Sequence, residues 1–213
     1  HLDPAFITQL KNIKYRGSVS RVHFELNELP EIKGVSNEEM NTFFTVSPSI
    51  EYLERASDAC KYGEISKNPF VEFSFPTINN PEFSSKGNHI LSATIQYTPY
   101  KLRGNEWSGS LKEALKENII SILSAYIPGI NSLIKSTHIF TPVDFEQQFG
   151  IKEGSFNHGE MTLDQFFFMR PTISTSQYKS PISNLFICGS STHPGGGIHG
   201  ANGYNAAKEI LKA

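Results

Sequence analysis

The residues most able to do chemistry lie together near the end of the chain, at positions 184–207, NLFICGSSTHPGGGIHGANGYNAA. Gly195, Gly196, Gly197 and Gly200 put four glycines within six positions. Such a run has two uses: it reaches positive φ without steric cost, and it lets another group approach the backbone closely. A helix beginning just after it points unpaired N–H groups at whatever lies above. Those donors and the helix dipole suit an anionic or strongly polar acceptor, such as a phosphate or a ring carbonyl. The plainer alternative is a tight strand-to-helix turn with no ligand. Gly195, Gly197 and Gly200 satisfy GxGxxG, but that fingerprint needs a complete βαβ unit with an acid roughly 20 residues further on. Too few residues follow Gly200 to supply one. The segment therefore reads as a closing element that returns to a site built elsewhere, not as a primary dinucleotide fold.

Other polar residues carry weaker signals. His193 precedes Pro194, which holds its backbone extended; it either lines a ligand or hydrogen-bonds across the turn. His199 reads as a solvated histidine at a helix start, with a ligand contact as the alternative. His158 and Glu160 could form an acid–base pair, although a structural hydrogen bond in a glycine-rich loop is preferred. Arg170 could anchor an anionic group or make an ordinary salt bridge. Cys188 ends an apolar run and reads as a small buried hydrophobe. Cys60 and Cys188 form no CxxC pair, which fits a reducing compartment. The seven histidines, including His1, show neither HxxxH nor HExxH spacing, so no metal is expected. No GxSxG elbow is present.

These groups need elements to hold them. Residues 18–26 alternate as a strand, as do residues 71–75 before Pro76 and residues 90–97, where Leu91, Ala93, Ile95 and Tyr97 share a face. Ser47-Pro48 opens a helix, with Ile50, Leu53, Ala56 and Cys60 as its apolar stripe and Gly63 at its end. Ser110 and Glu113 have capping-box spacing at the head of a long amphipathic helix closed by Pro128-Gly129. Residues 138–140 form a short strand, 141–144 start a short helix, 150–159 are a loop, 185–188 a short buried strand and 201–211 a last helix. Strands and helices mix without regular βαβ alternation. The fold class expected is α+β: a mixed, mainly antiparallel sheet with packed helices, plus the C-terminal strand–glycine loop–helix.

The totals exclude several functions. A net charge of −2 offers nothing to a nucleic acid or an anionic membrane surface. No apolar run approaches the roughly 18–20 residues of a membrane-spanning helix, and the first residues do not form a secretory signal. A cytoplasmic or organelle-matrix location fits, with peripheral membrane contact compatible. The chain starts at His1, which reads as a processed chain, a piece of a longer one or a tag remnant.

The motif Cys188-Gly189-Ser190-Ser191-Thr192-His193-Pro194-Gly195-Gly196-Gly197-Ile198-His199-Gly200-Ala201 resembles the C-terminal flavin motif of the phytoene desaturase-like FAD-dependent oxidoreductases. These include the carotenoid desaturases and the pyridine nucleotide-disulfide oxidoreductase domain proteins. Residues 144–150, DFEQQFG, 154–160, GSFNHGE, and 163–171, LDQFFFMRP, are similar to the second group, as is the start from Tyr15-Arg16-Gly17 through Leu29-Pro30. The resemblance implies that residues 1–183 are a substrate-side α+β domain and 184–213 an FAD-contacting segment. The N-terminal dinucleotide-binding domain, absent here, would be the partner that this segment completes. It also implies FAD near Gly189 and Ser190 through its ribityl or pyrophosphate portion, with Gly196, Gly197 and Ile198 facing the ring; Gly195 and Gly200 complete the cofactor set. Many related flavoenzymes carry an acid where this chain has Ser190, so the sugar contact is either lost or made by backbone. Gly196 stands where carotenoid desaturases tend to have alanine, which favours the second group. The implied activity is hydride transfer from a hydrophobic small molecule to flavin, with no side chain assigned as catalytic acid or base. This chain alone is expected neither to bind FAD tightly nor to turn over substrate. The rival readings are a non-enzymatic interaction module and a domain for an anionic small ligand.

Overall fold

The computed structural model describes residues 2–85 and 87–212; His1, weighed above among the histidines, lies outside them. In chain order the main elements are α1 (Pro4–Lys11), β1 (Val19–Leu26), β2 (Phe44–Val46), α2 (Ile50–Lys61), β3 (Phe70–Ser74), β4 (His89–Gln96), α3 (Gly109–Ser124), α4 (Ile130–Leu133), β5 (Ile134–Phe140), α5 (Pro142–Phe149) and α6 (Ala201–Ile210). They divide into two compact units. A sheet unit runs unbroken over Ser18–Gln148. A glycine-rich unit is assembled from the residues up to Gly17 and those from Phe149 onward. The sheet unit is thus an insertion in the chain of the other. The expected boundary at 183/184 falls inside the glycine-rich unit, because the glycine run packs on the loop preceding it: a Cβ on Gly195 would touch Met161 Cε at 3.0 Å.

The sheet unit is the α+β fold expected. Its five strands are ordered β2-β3-β4-β1-β5, and every ladder is antiparallel. Alternation decides which face is buried. Val22, Phe24 and Leu26 of β1, Leu91, Ala93 and Ile95 of β4 and Val71 of β3 are fully buried, and α3 covers them with Leu115, Ile119, Ile120 and Leu123. Burying one such large side chain stabilises by about 1.5–3 kcal/mol. Phe44 stacks on Phe73 across β2 and β3 with ring centroids 5.2 Å apart. Thr141 and Asp144 cap α5 reciprocally: Thr141 N–H donates to Asp144 Oδ2 at 2.7 Å and Asp144 N–H to Thr141 Oγ1 at 3.3 Å. Lys112 Nζ ties α3 to the same carboxylate at 2.7 Å.

Helix starts differ from expectation by small steps. Ser49, not Ser47, caps α2, its Oγ accepting from Tyr52 N–H at 3.1 Å. Only Ala56 of the expected stripe is buried, and Ile50 is 79% exposed. Ser108 rather than Ser110 caps α3, accepting from Leu111 N–H; Glu113 instead pairs with Lys116. Helix α3 stops at Ser124, short of Pro128-Gly129.

In the glycine-rich unit, Asp3 caps α1, with Pro4 at its first turn. Residues 14–17 then run along the later loops. Lys14 N–H donates to Gln165 Oε1 at 2.7 Å, and Lys14 O accepts from Glu160 N–H at 2.8 Å. Gly17 has no alternative there, since a Cβ would lie 1.9 Å from Glu153 O. The buried strand expected at 185–188 is reduced to one antiparallel bridge between Lys179 and Phe186. Leu185 is 47% exposed and Cys188 is exposed. Among the described residues only the 178–180 stretch lies alongside to pair, through Ile187 N–H to Tyr178 O and Ser180 N–H to Leu185 O. One neighbour that short gives a bridge, not a ladder.

Candidate functional site

The glycine run is held open by a small polar scaffold. Asn202, buried on the first turn of α6, donates through Nδ2 to Thr192 O at 2.9 Å, His193 O at 3.2 Å and Gly195 O at 3.2 Å. Thr192, fully buried, closes the preceding turn by donating its N–H and Oγ1–H to Gly189 O at 3.0 and 2.8 Å. Tyr178 donates its hydroxyl to His193 O at 2.7 Å and accepts from Asn205 Nδ2 at 3.0 Å. These bonds use the loop's carbonyls. Its amides stay free: among the described residues, no hydrogen bond is made by the N–H groups of Gly195, Gly196, Gly197, Ile198 or His199. Backbone donors left unpaired in this way need water or a ligand.

The structure separates the seven expected cofactor residues into three groups. Gly189 and Ser190 line the wall of a cleft of about 480 Å³ within this unit. Gly189 has φ +96°, and nothing lies within 4 Å of where its Cβ would stand. Gly195 and Gly196 turn inward: a Cβ on Gly196 would sit 2.0 Å from Asn157 Oδ1, and Gly195 is closed off by Met161 and Phe166. Gly197, Ile198 and Gly200 are exposed, the Ile198 side chain entirely so. Gly200 caps α6 in the left-handed region at φ +69°, without a side-chain hydrogen bond. A flavin fits this arrangement in one respect: the amides of Gly197, Ile198 and His199, which make no hydrogen bond among the described residues, lie together on the exposed part of the turn.

The remaining candidates resolve differently. His158 and Glu160 do not form an acid–base pair, because Glu160 is taken by Arg16. His199 is exposed, and its Nδ1 accepts from Ala201 N–H at 3.1 Å, which makes it a cap for the helix start. His193 makes no bond across the turn through Nδ1, which is buried without a partner among the described residues; its peptide to Pro194 is cis. Cys188, expected buried, is exposed in the cleft wall because the strand that would cover it does not form.

Among the described residues Arg170 does not make the ordinary salt bridge weighed for it. It is 3% exposed and bonds only neutral acceptors, among them the carbonyls of Asn157, His158 and Gly159. Burial pushes its guanidinium below the ordinary arginine value, with the nearby Tyr15 opposing. Its Nε is buried and has no hydrogen-bond partner among the described residues. Sequence reasoning gave no role to Asn202, Thr192 or Tyr178. The only available signal was two asparagines in the first turns of a helix, where they usually compete with the backbone. Among the described residues no cluster of His, Cys, Asp and Glu could hold a metal, and no helix is long and apolar enough to cross a membrane.

No protein-family model matches the chain. Over 99% of its length it is 31% identical to pyridine nucleotide-disulfide oxidoreductase domain-containing protein 2 of Rattus norvegicus, of which it spans 38%. It is 24% identical to a neurosporene-forming phytoene desaturase of Cereibacter sphaeroides, over 75% of this chain and 30% of that protein. A solved oxidoreductase from Methanosarcina mazei superposes on 99% of this chain and 37% of its own, with a TM-score of 0.50 and 12% identity, a likeness of fold alone.

Proposed function

We propose, from homology to the C-terminal part of the pyridine nucleotide-disulfide oxidoreductase domain-containing proteins and the phytoene desaturases, that this chain is the closing portion of an FAD-dependent oxidoreductase. In that reading the glycine-rich unit belongs to the flavin side of the protein and the inserted sheet unit to the substrate side. The observation that carries it is the set of amides at Gly197, Ile198 and His199 that make no hydrogen bond among the described residues, on an exposed turn that Asn202 and Thr192 brace ahead of α6. Residues 189–190 and 195–200 would hold the cofactor; bound FAD supplies hydride acceptance from carbon. The chain's own part is positioning and polarisation. The free N–H groups stabilise electron density that builds on a ring facing them, as preorganised backbone donors do without reorganising. Gly189 and Gly200 leave room for close approach. Ser190, in place of an acid, leaves the sugar contact to the backbone. No side chain is assigned to proton transfer. The substrate proposed is hydrophobic, on the analogy of a relative named as a phytoene desaturase.

The test is the visible spectrum of the purified full-length protein. Flavin bands, or their appearance on reconstitution with FAD, support the reading. A colourless protein that FAD does not reconstitute favours a structural glycine turn in an interaction module.

A further inference from the structure

We propose that Met161 is an oxidation site through which a peroxide loosens the glycine turn. Met161 is the most exposed of the chain's three methionines: it is 39% exposed, Met169 is half-buried and Met40 is 3% exposed. Its sulfur and its methyl touch different parts of the glycine-rich unit. The thioether sulfur accepts from Arg170 Nη1 at 2.9 Å, closer than the Gln165 and Gly159 carbonyls that share that nitrogen at 3.3 and 3.4 Å. The methyl lies against the glycine run, 3.0 Å from where a Cβ on Gly195 would stand. Oxidation changes both contacts together. A thioether is a weak acceptor, and the guanidinium it serves is buried and makes no ion pair among the described residues. In the reaction the sulfur lone pair attacks one oxygen of hydrogen peroxide and the O–O bond breaks. That oxygen stays on sulfur, and the other leaves as water with both hydrogens; sulfur loses two electrons and the peroxide gains them. The sulfoxide oxygen is a strong acceptor on a side chain that is now polar, so it competes for the same N–H of a charge desolvated by burial. With sulfur already 2.9 Å from that nitrogen, an oxygen cannot enter between them unless the side chain shifts. The shift takes the methyl away from Gly195 and removes the inner support of the turn. The modification stands on this chain's own residues; any effect on cofactor binding rests on the flavin reading.

The test treats the 15N-labelled chain with hydrogen peroxide, maps each methionine by the one-oxygen mass gain of its peptide, and follows the amides of Gly195 and Gly196. Met161 is expected to be oxidised first, Met169 after it and Met40 last. The Gly195 and Gly196 amides should shift in step with Met161, while the Phe24 amide stays in place. Methionine sulfoxide reductases of both stereospecificities should restore the mass and the spectrum. Cys60 and Cys188 also react with peroxide, so Met161→Leu, a swap that keeps volume, is the control: peroxide should leave its Gly195 and Gly196 amides unmoved. Met161→Gln, which carries a permanent amide oxygen, should give the oxidised pattern without peroxide. Oxidation of Met169 ahead of Met161 would overturn the proposal. So would Gly195 and Gly196 amides that ignore oxidation of Met161, or that shift as far in the leucine variant. No flavin is present in this assay, so its failure would leave the flavin reading untouched.

Discussion

Replacing Asn202 by alanine should loosen the glycine turn without unfolding the sheet unit. Its side-chain amide contacts four acceptors, Thr192 O and Oγ1, His193 O and Gly195 O, between 2.9 and 3.3 Å. An amide NH2 has only two hydrogens to share among them. At about 0.5–1.5 kcal/mol net for each bond, the loss is about 1–3 kcal/mol. Alanine's better helix propensity returns roughly 0.5 kcal/mol. The turn should therefore lose about 0.5–2.5 kcal/mol against local opening, a factor of roughly two to seventy. Hydrogen exchange at Thr192 reads this directly, because its N–H is bonded to Gly189 O inside the turn. Exchange there should accelerate by that factor, while the amide of Phe24 in β1, a strand paired on both sides, should be unaffected. Unchanged protection at Thr192 would refute the claim that Asn202 holds the turn.

Two glycine substitutions should move stability in opposite directions. Gly196→Ala drives a Cβ to 2.0 Å from Asn157 Oδ1 and should cost about 1–3 kcal/mol. Gly203→Ala, inside α6 with nothing within 4 Å, should add about 0.5–1 kcal/mol; thermal melts of both variants beside the parent decide it. Burial acts to raise the Asp144 carboxyl, but the Lys112 ammonium and the Thr141 donors outweigh it and hold it below the ordinary aspartate value. A carboxyl depressed in the folded state stabilises fully above its unfolded value near 3.8 and loses that contribution as pH falls through the folded one. The melting temperature of the parent should therefore fall more steeply below about pH 4 than that of Asp144→Asn, and parallel curves would remove the pair from the account.

What the sequence displayed was whatever repeats at short range. The alternation of β1, β3 and β4 gave their positions within a residue or two, and the periodicity of α3 its start, because each is set by one buried face; the end of α3 falls at Ser124, ahead of the Pro128-Gly129 stop signal. Helix starts slipped because serines cluster: Ser47 and Ser49, or Ser108 and Ser110, satisfy the same local rule, and only packing selects between them. Helix α1 carries a good start signal in Asp3-Pro4 but buries no side chain, so it shows no apolar stripe from which a helix can be read. Strand β2, with three residues, and the first half of the edge strand β5 are too short or too polar to alternate visibly. The run 185–188 looked like a buried strand because hydrophobicity does not say whether a neighbour exists. At the site, the glycines were legible because a cluster of them has few explanations. The bonds that aim them were not: Tyr178 to His193, Asn202 to Thr192 and the carbonyl cage of Arg170 join residues whose proximity only the fold creates.

The account stands on backbone amides, not on side chains, meeting the flavin, and one pair of substitutions in the full-length protein separates the two. Ile198→Ala removes a side chain that is wholly exposed; Ile198→Pro also removes the N–H. Measured by FAD titration against the flavin absorbance bands, the alanine variant should bind as the parent does. The proline variant should bind about fivefold to tenfold more weakly, the worth of one lost hydrogen bond. Equal affinity in all three proteins would contradict the assignment.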